Sequence, residues 1–100
     1  MTTIAERVAR GAALLDEKTP GWDKRIYLFI LDIDNCERCV LGQVYEAQDG
    51  NDYGYSTGLK VLGVGIGDPE RDYGFDGDWD ERNDLTAAWR ELIESRRAAP

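Results

Sequence analysis

The sequence predicts an α+β fold that is mainly α: one compact domain over residues 1–100, with N- and C-terminal helices around a central CxxC helix and a short strand. Three observations carry this. Apolar residues recur at helical spacing near both ends of the chain. A run rich in β-branched and aromatic residues, from Ile26 to Ile33, lies between polar turn formers. Finally, 100 residues that are 42% hydrophobic and 32% charged have the balance of a folded domain with room for one modest core.

The first helix is expected over residues 3–18. Ile4, Val8, Gly11, Ala12 and Leu15 share one face, Glu6, Arg7 and Arg10 lie on the other, and Thr2 or Thr3 caps the start. Pro20 disfavours a helical conformation at Thr19, so the helix ends near Lys18, and Trp22 folds back onto the core. Ile26 to Ile33 is the strand candidate. Asp34 or Asn35 then caps a second helix running to about Glu46, with Cys36, Val40, Leu41 and Val44 facing inward.

Residues 48–58 read as a loop because of their Gly, Asn, Asp and Ser content, with Asp49-Gly50 as the sharpest turn signal. A short helix or strand is expected from Leu59 to Val64. The glycines at 63, 65 and 67, followed by Asp68-Pro69, predict a second irregular stretch. Leu85, Ala88, Trp89, Leu92 and Ile93 then mark a core-facing C-terminal helix, capped by Asn83 or Asp84 and ending with Arg96 and Arg97 in its last turn.

Charge is concentrated. Of the net −8, residues 49–84 carry −7, because ten carboxylates there face only Lys60, Arg71 and Arg82. The chain has no histidine, which removes the Ser-His-Asp and Cys-His nucleophile arrangements and every imidazole metal site. An acidic surface also lacks the cationic footprint that phosphate-backbone binding requires. The longest apolar run, Ile26 to Leu31, is far short of the roughly 20 residues a membrane helix needs. Residues 1–10 have no basic region followed by a hydrophobic stretch, which argues for a cytoplasmic location.

Several motifs bear on chemistry. Cys36-Glu37-Arg38-Cys39 is a CxxC, a spacing that serves thiol-disulfide exchange, although either cysteine can equally fill the core. As a zinc site it is short of ligands, since no second CxxC exists and only Asp32 or Asp34 stands nearby in sequence. Asp32-Ile33-Asp34 resembles the nucleophile strand of haloacid-dehalogenase-type phosphatases, but Cys36 stands where that pattern has Thr or Val. A capping role for Asp34 or Asn35 explains it more simply. Asp76, Asp78 and Asp80 alternate like the first ligands of an EF-hand loop, yet Glu81 and Ala87 occupy the positions of its turn glycine and bidentate glutamate. Gly63-Val64-Gly65-Ile66-Gly67 lacks the Lys-Ser/Thr of a phosphate loop and is followed by Asp68 and Glu70, which would repel phosphate.

Taken together, Gly11-Ala12-Ala13-Leu14-Leu15-Asp16-Glu17, Pro20-Gly21-Trp22, Leu31-Asp32-Ile33, Cys36-Glu37-Arg38-Cys39-Val40-Leu41-Gly42-Gln43 and Leu85-Thr86-Ala87-Ala88-Trp89 give a resemblance over most of the chain. The chain resembles a family of small acidic proteins encoded in actinobacterial and actinobacteriophage genomes. That resemblance implies a bacterial cytoplasm, including one under phage infection. The family has no attached activity, so no catalytic residue is carried over. Tyr27-Leu28-Phe29-Ile30 is more apolar here than in the family pattern, which marks either a buried strand or an exposed contact patch.

The resulting expectation is a non-enzymatic acidic binding protein of phage or prophage origin. Asp49, Asp52, Asp72, Asp76, Asp78, Asp80 and Glu81 would engage a basic surface of a host or phage protein, with DNA mimicry as the sharpest form. Acidity that merely confers solubility is the competing explanation. Two alternatives stand beside it: a thiol-redox or metal-thiolate protein using Cys36 and Cys39, and a minor virion component that self-associates through Tyr27 to Leu31. No cofactor, direct nucleic-acid contact or membrane contact is expected.

Overall fold

Thr3 opens the first element, α1 (Ile4–Lys18), by accepting the Glu6 N–H at 3.1 Å. The computed structural model describes residues 3–45 and 54–98. Four further α-helices follow among them: α2 (Val40–Val44), α3 (Gly54–Leu62), α4 (Asp68–Asp72) and α5 (Arg82–Ala98). Three-residue or four-residue 3₁₀ turns occur at Trp22–Arg25, Leu28–Ile30 and Trp79–Glu81. Helix α1 packs on α5, and α2 packs on α3.

The core is aromatic at its centre. Trp89 on α5 is fully buried, stacks on Phe75 with ring centroids 5.8 Å apart, and meets Trp22 edge-on at 5.7 Å. Its indole N–H donates to the Gly74 carbonyl at 2.7 Å, so the one polar atom of the ring is satisfied inside the core. Val8, Ala12 and Leu15 of α1 and Leu85 and Ile93 of α5 belong to the same cluster, which continues through Leu31, Val40, Leu41 and Leu59. Gly11 lets these helices approach, because a Cβ there would stand 2.1 Å from the Tyr73 carbonyl oxygen and 3.0 Å from the Trp89 ring.

The expected α+β class is corrected: the described residues form no strand, and the fold is helical. Ile26 is extended, the 3₁₀ turn Leu28–Ile30 interrupts the run, Leu31 is extended again, and Ile33 already lies in the next turn. A strand needs a neighbour to satisfy its ladder, and here side chains take that role. Gln43 Oε1 accepts the Tyr27 N–H at 2.6 Å, and Thr86 Oγ1 accepts the Ile33 N–H at 3.0 Å. Arg97 donates to the Ile26 carbonyl at 2.6 Å, and Arg90 donates to that of Leu28 at 3.1 Å.

The central CxxC helix is also corrected. Residues 35–39 form a turn, and α2 starts only at Val40, with Cys39 rather than Asp34 or Asn35 as its N-cap. Asn35 instead shapes the turn: its side-chain oxygen accepts the Glu37 and Arg38 N–H groups, and its carbonyl accepts that of Cys39 at 2.8 Å. Residues 54–58 of the expected loop belong to α3, and Asp68-Pro69 opens α4 rather than an irregular stretch. The turn at Asp49-Gly50 lies outside the described residues.

Candidate functional site

The acidic middle of the chain divides into three kinds of carboxylate. Glu70 is buried and structural: it accepts the Gly67 N–H at 2.6 Å and the Tyr55 hydroxyl, thereby fixing the start of α4. Burial, reinforced by that bond to Glu70, pushes the Tyr55 hydroxyl pKa far above its ordinary value. Tyr55 therefore stays protonated and serves as a donor.

The second kind is paired at the surface. Glu81 receives both terminal nitrogens of the nine-tenths-buried Arg7, at 2.7 and 3.5 Å, and also accepts the Asp78 N–H at 3.0 Å. The Arg7 guanidinium, followed by that backbone N–H, holds the Glu81 carboxyl below the usual carboxylate range. Asp78 pairs with Arg71, Asp34 pairs with Arg82, and Asp76 lies 3.7 Å from the Arg82 Nε. The third kind is free. Asp68, Asp72, Asp80 and Asp84 are exposed and make no ion pair among the described residues.

Of the residues expected to bind a partner, Asp76, Asp78, Asp80 and Glu81 come together around the turn Trp79–Glu81, and Asp72 stands at the end of α4. Asp49 and Asp52 lie outside the described residues. The turn also carries a feature the charge pattern did not signal: Trp79 is 80% exposed. Its ring lies beneath the Arg82 guanidinium, 6.0 Å from the ring centroid. The capping of Asp78 by Glu81, and of Glu81 by Arg7 on α1, fixes the backbone on which that ring stands. Sequence reading could have singled out Asp78-Trp79-Asp80, since a large aromatic between carboxylates has no apolar neighbour to follow into the core.

A second exposed aromatic pair occurs at Tyr27 and Phe29, 65% and 85% exposed, with their rings edge-to-face at 6.3 Å. Phe29 borders a shallow hollow of about 460 Å³ whose walls include Asp32, Arg38, Asn83 and Arg90. The run is thus mixed: Tyr27 and Phe29 are exposed, whereas Ile26, Leu31 and Ile33 are buried.

Cys36 is exposed and Cys39 buried, and both are free thiols. Burial raises the Cys39 pKa to about 12. Cys36 opens on a hollow of about 150 Å³ shared with Asp34, Tyr55, Asp76 and Arg82. Among the described residues no group of three or more Cys, Asp or Glu side chains is arranged to hold a metal ion, and no helix is long and apolar enough to cross a membrane. No protein-family model, curated protein or solved structure matches the chain.

Proposed function

We propose that this chain is a non-enzymatic docking protein of phage or prophage origin that presents Trp79, set among carboxylates, to a basic surface of a host or phage protein. The observation that carries the reading is the exposure of Trp79 on a turn anchored to α1 through Glu81 and Arg7. Leaving a large aromatic in water forgoes roughly 1.5–3 kcal/mol of burial, which a partner's surface can recover. Tryptophan is also the residue type most enriched at the energetic centres of interfaces. Asp80 and Asp84 supply unpaired negative charge beside it, which favours lysine- or arginine-rich partners and speeds encounter.

The pairing of Asp76, Asp78 and Glu81 bears on the mimicry version. An imitation of a phosphate backbone needs many unneutralised charges in a row, whereas this surface neutralises several of its own. A compact aromatic anchor with an acidic rim is the form these observations favour.

The test is affinity capture from bacterial lysate at low and high salt, with wild type, Trp79→Ala, and Asp80→Asn combined with Asp84→Asn. A basic partner retained at low salt should be lost with Trp79→Ala and weakened by the double neutralisation. Capture that is indifferent to Trp79 and to salt would remove this reading.

Exposure of Tyr27 and Phe29 supports a second reading, an assembly component that self-associates through that patch. Light scattering decides it: Phe29→Asp should lower the mass of any oligomer, and a wild type that is monomeric at high concentration ends the idea.

A further inference from the structure

We infer that Cys36 and Cys39 form a two-thiol site for small disulfides, in which Cys36 makes the first exchange and Cys39 resolves it, and that closure of the Cys36–Cys39 disulfide uncaps α2. The inference is independent of the docking surface. It rests on the way the turn 35–39 is built and on the unequal exposure of its two thiols.

The turn is fixed from several directions. Asn35 accepts N–H groups from residues 37, 38 and 39, and the Arg38 carbonyl accepts from Gln43 Nε2 at 2.8 Å and from the Asp32 N–H at 3.3 Å. A Cβ at Gly42 would stand 2.2 Å from the Cys36 carbonyl oxygen, so the turn rests directly on α2. Within it, Cys39 is 2% exposed, with its Sγ 3.8 Å from the Cys36 carbonyl oxygen and accepting the Gly42 N–H at 3.3 Å. Cys36 faces solvent and the hollow beside Asp34, Asp76 and Arg82.

Cys36 is exposed while the Cys39 sulfur is buried against the Gly42 N–H, whereas a disulfide holds its two Cβ atoms about 3.5–4.5 Å apart. Closure thus requires a small movement, which draws the Cys39 sulfur away from the Gly42 N–H that it now caps. The chemistry balances in two exchanges. The Cys36 thiolate attacks one sulfur of a low-molecular-weight disulfide RSSR, its S–S bond breaks, and RS⁻ leaves and takes up the proton that Cys36 lost. The Cys39 thiol then loses its proton to solvent, its thiolate attacks Cys36 Sγ, the mixed S–S bond breaks, and the second RS⁻ departs and takes up a proton from solvent. Two protein thiols are oxidised to one disulfide, and RSSR is reduced to two RSH. Because burial holds the Cys39 thiol up at about 12, the second exchange draws on a small thiolate fraction at neutral pH.

The test follows the reduced full chain by mass spectrometry during exposure to oxidised glutathione without oxygen. Wild type should lose two hydrogens and end as the intramolecular disulfide. Cys39→Ser should stop at the glutathione adduct on Cys36; this variant keeps the fold because serine is itself a favoured N-cap. Cys36→Ser should react more slowly by at least about a thousandfold while folded, the delay of a core group that must wait for opening, and readily in urea. The closing step should quicken about tenfold per pH unit between pH 7 and 10, in step with the thiolate fraction. Amide exchange at Gly42 should be faster in the oxidised form. A wild type that stays reduced or accumulates the adduct overturns the two-thiol site. Unchanged protection at Gly42 overturns the uncapping, and a folded Cys36→Ser that reacts as fast as wild type overturns the order of attack.

Discussion

Trp89 and Trp79 stand ten residues apart and have opposite fates. Trp89 is fully buried, stacked on Phe75, edge-on to Trp22 and hydrogen-bonded to Gly74, whereas Trp79 is 80% exposed over a turn of carboxylates. Trp89 falls on the inward stripe of α5 with Leu85 and Ile93. Trp79 precedes that helix, in a 3₁₀ turn whose capping interaction and ion pair face the protein and leave the ring outside. The contrast teaches that residue type alone does not set burial: the periodicity of α5 carries Trp89 inward, whereas the turn that holds Trp79 is anchored through Glu81 and leaves the ring outside. It also separates a region that makes the fold from one that remains available to something else.

The largest effect expected from this comparison is on stability. Trp89→Ala should cost about 3–5 kcal/mol in denaturant titration, enough to leave a domain of this size partly unfolded. Trp79→Ala should stay within about 0.5 kcal/mol of wild type. Equal losses would mean that the Trp79 ring belongs to the core, and the division between the two regions would fail.

Next comes the close approach of α1 to Trp89. Gly11→Ala gains about 1 kcal/mol of helix propensity yet should destabilise by about 1–3 kcal/mol, because the added Cβ meets the Tyr73 carbonyl and the Trp89 ring. A more stable variant in the same titration would show that the aromatic centre yields to added volume.

A smaller effect is expected from acid. The Arg96 guanidinium, reinforced by the Trp22 indole N–H, holds the Asp16 carboxyl below its ordinary value, as Arg7 holds that of Glu81. A carboxyl depressed in the folded state stabilises fully above its unfolded value and ceases to do so as pH falls through its folded value. The melting temperature should therefore decline as pH drops below about 4.5, where the first of the two ordinary values lies. Arg96→Gln should shrink the decline only slightly, because that pair is half exposed and worth at most about 1 kcal/mol. A melting temperature that is flat down to pH 2 would detach both pairs from stability.

The smallest change belongs to Trp79→Phe. Acrylamide should quench one accessible fluorescent component in wild type and lose it in the variant, at an unchanged melting temperature. Persistence of that component in the variant would mean that Trp22 or Trp89 is reached by solvent.

Both terminal helices were legible because amphipathic spacing is a local property, but packing changed details: Arg7, expected on the outer face, is buried, and α5 starts at Arg82, so Asn83 and Asp84 lie inside it rather than capping it. The strand at Ile26 to Ile33 was misread, since strand formation depends on a partner. Here Gln43, Thr86, Arg90 and Arg97 satisfy backbone groups of the segment that a neighbouring strand would otherwise have taken. Gly58 read as a loop residue but serves close packing: a Cβ there would stand 2.7 Å from the Tyr45 ring. The acidic segment was located in sequence, yet its charges could not be sorted. Glu70 is buried, Glu81 belongs to Arg7, and Asp80 is free, distinctions made by residues far away in the chain.

By itself the sequence determined the composition-level facts: an acidic chain without histidine, two amphipathic end helices, a CxxC, and a net −7 gathered between residues 49 and 84. Only the tertiary structure decided that no strand forms among the described residues, that Cys36 opens to solvent while Cys39 caps α2, and that Trp79 rather than a row of aspartates is the most prominent feature of the acidic turn. The physical reason is range. Periodicity and capping act within a few residues, whereas burial, ion pairing and hydrogen-bond satisfaction are settled between groups that the chain brings together from distant positions.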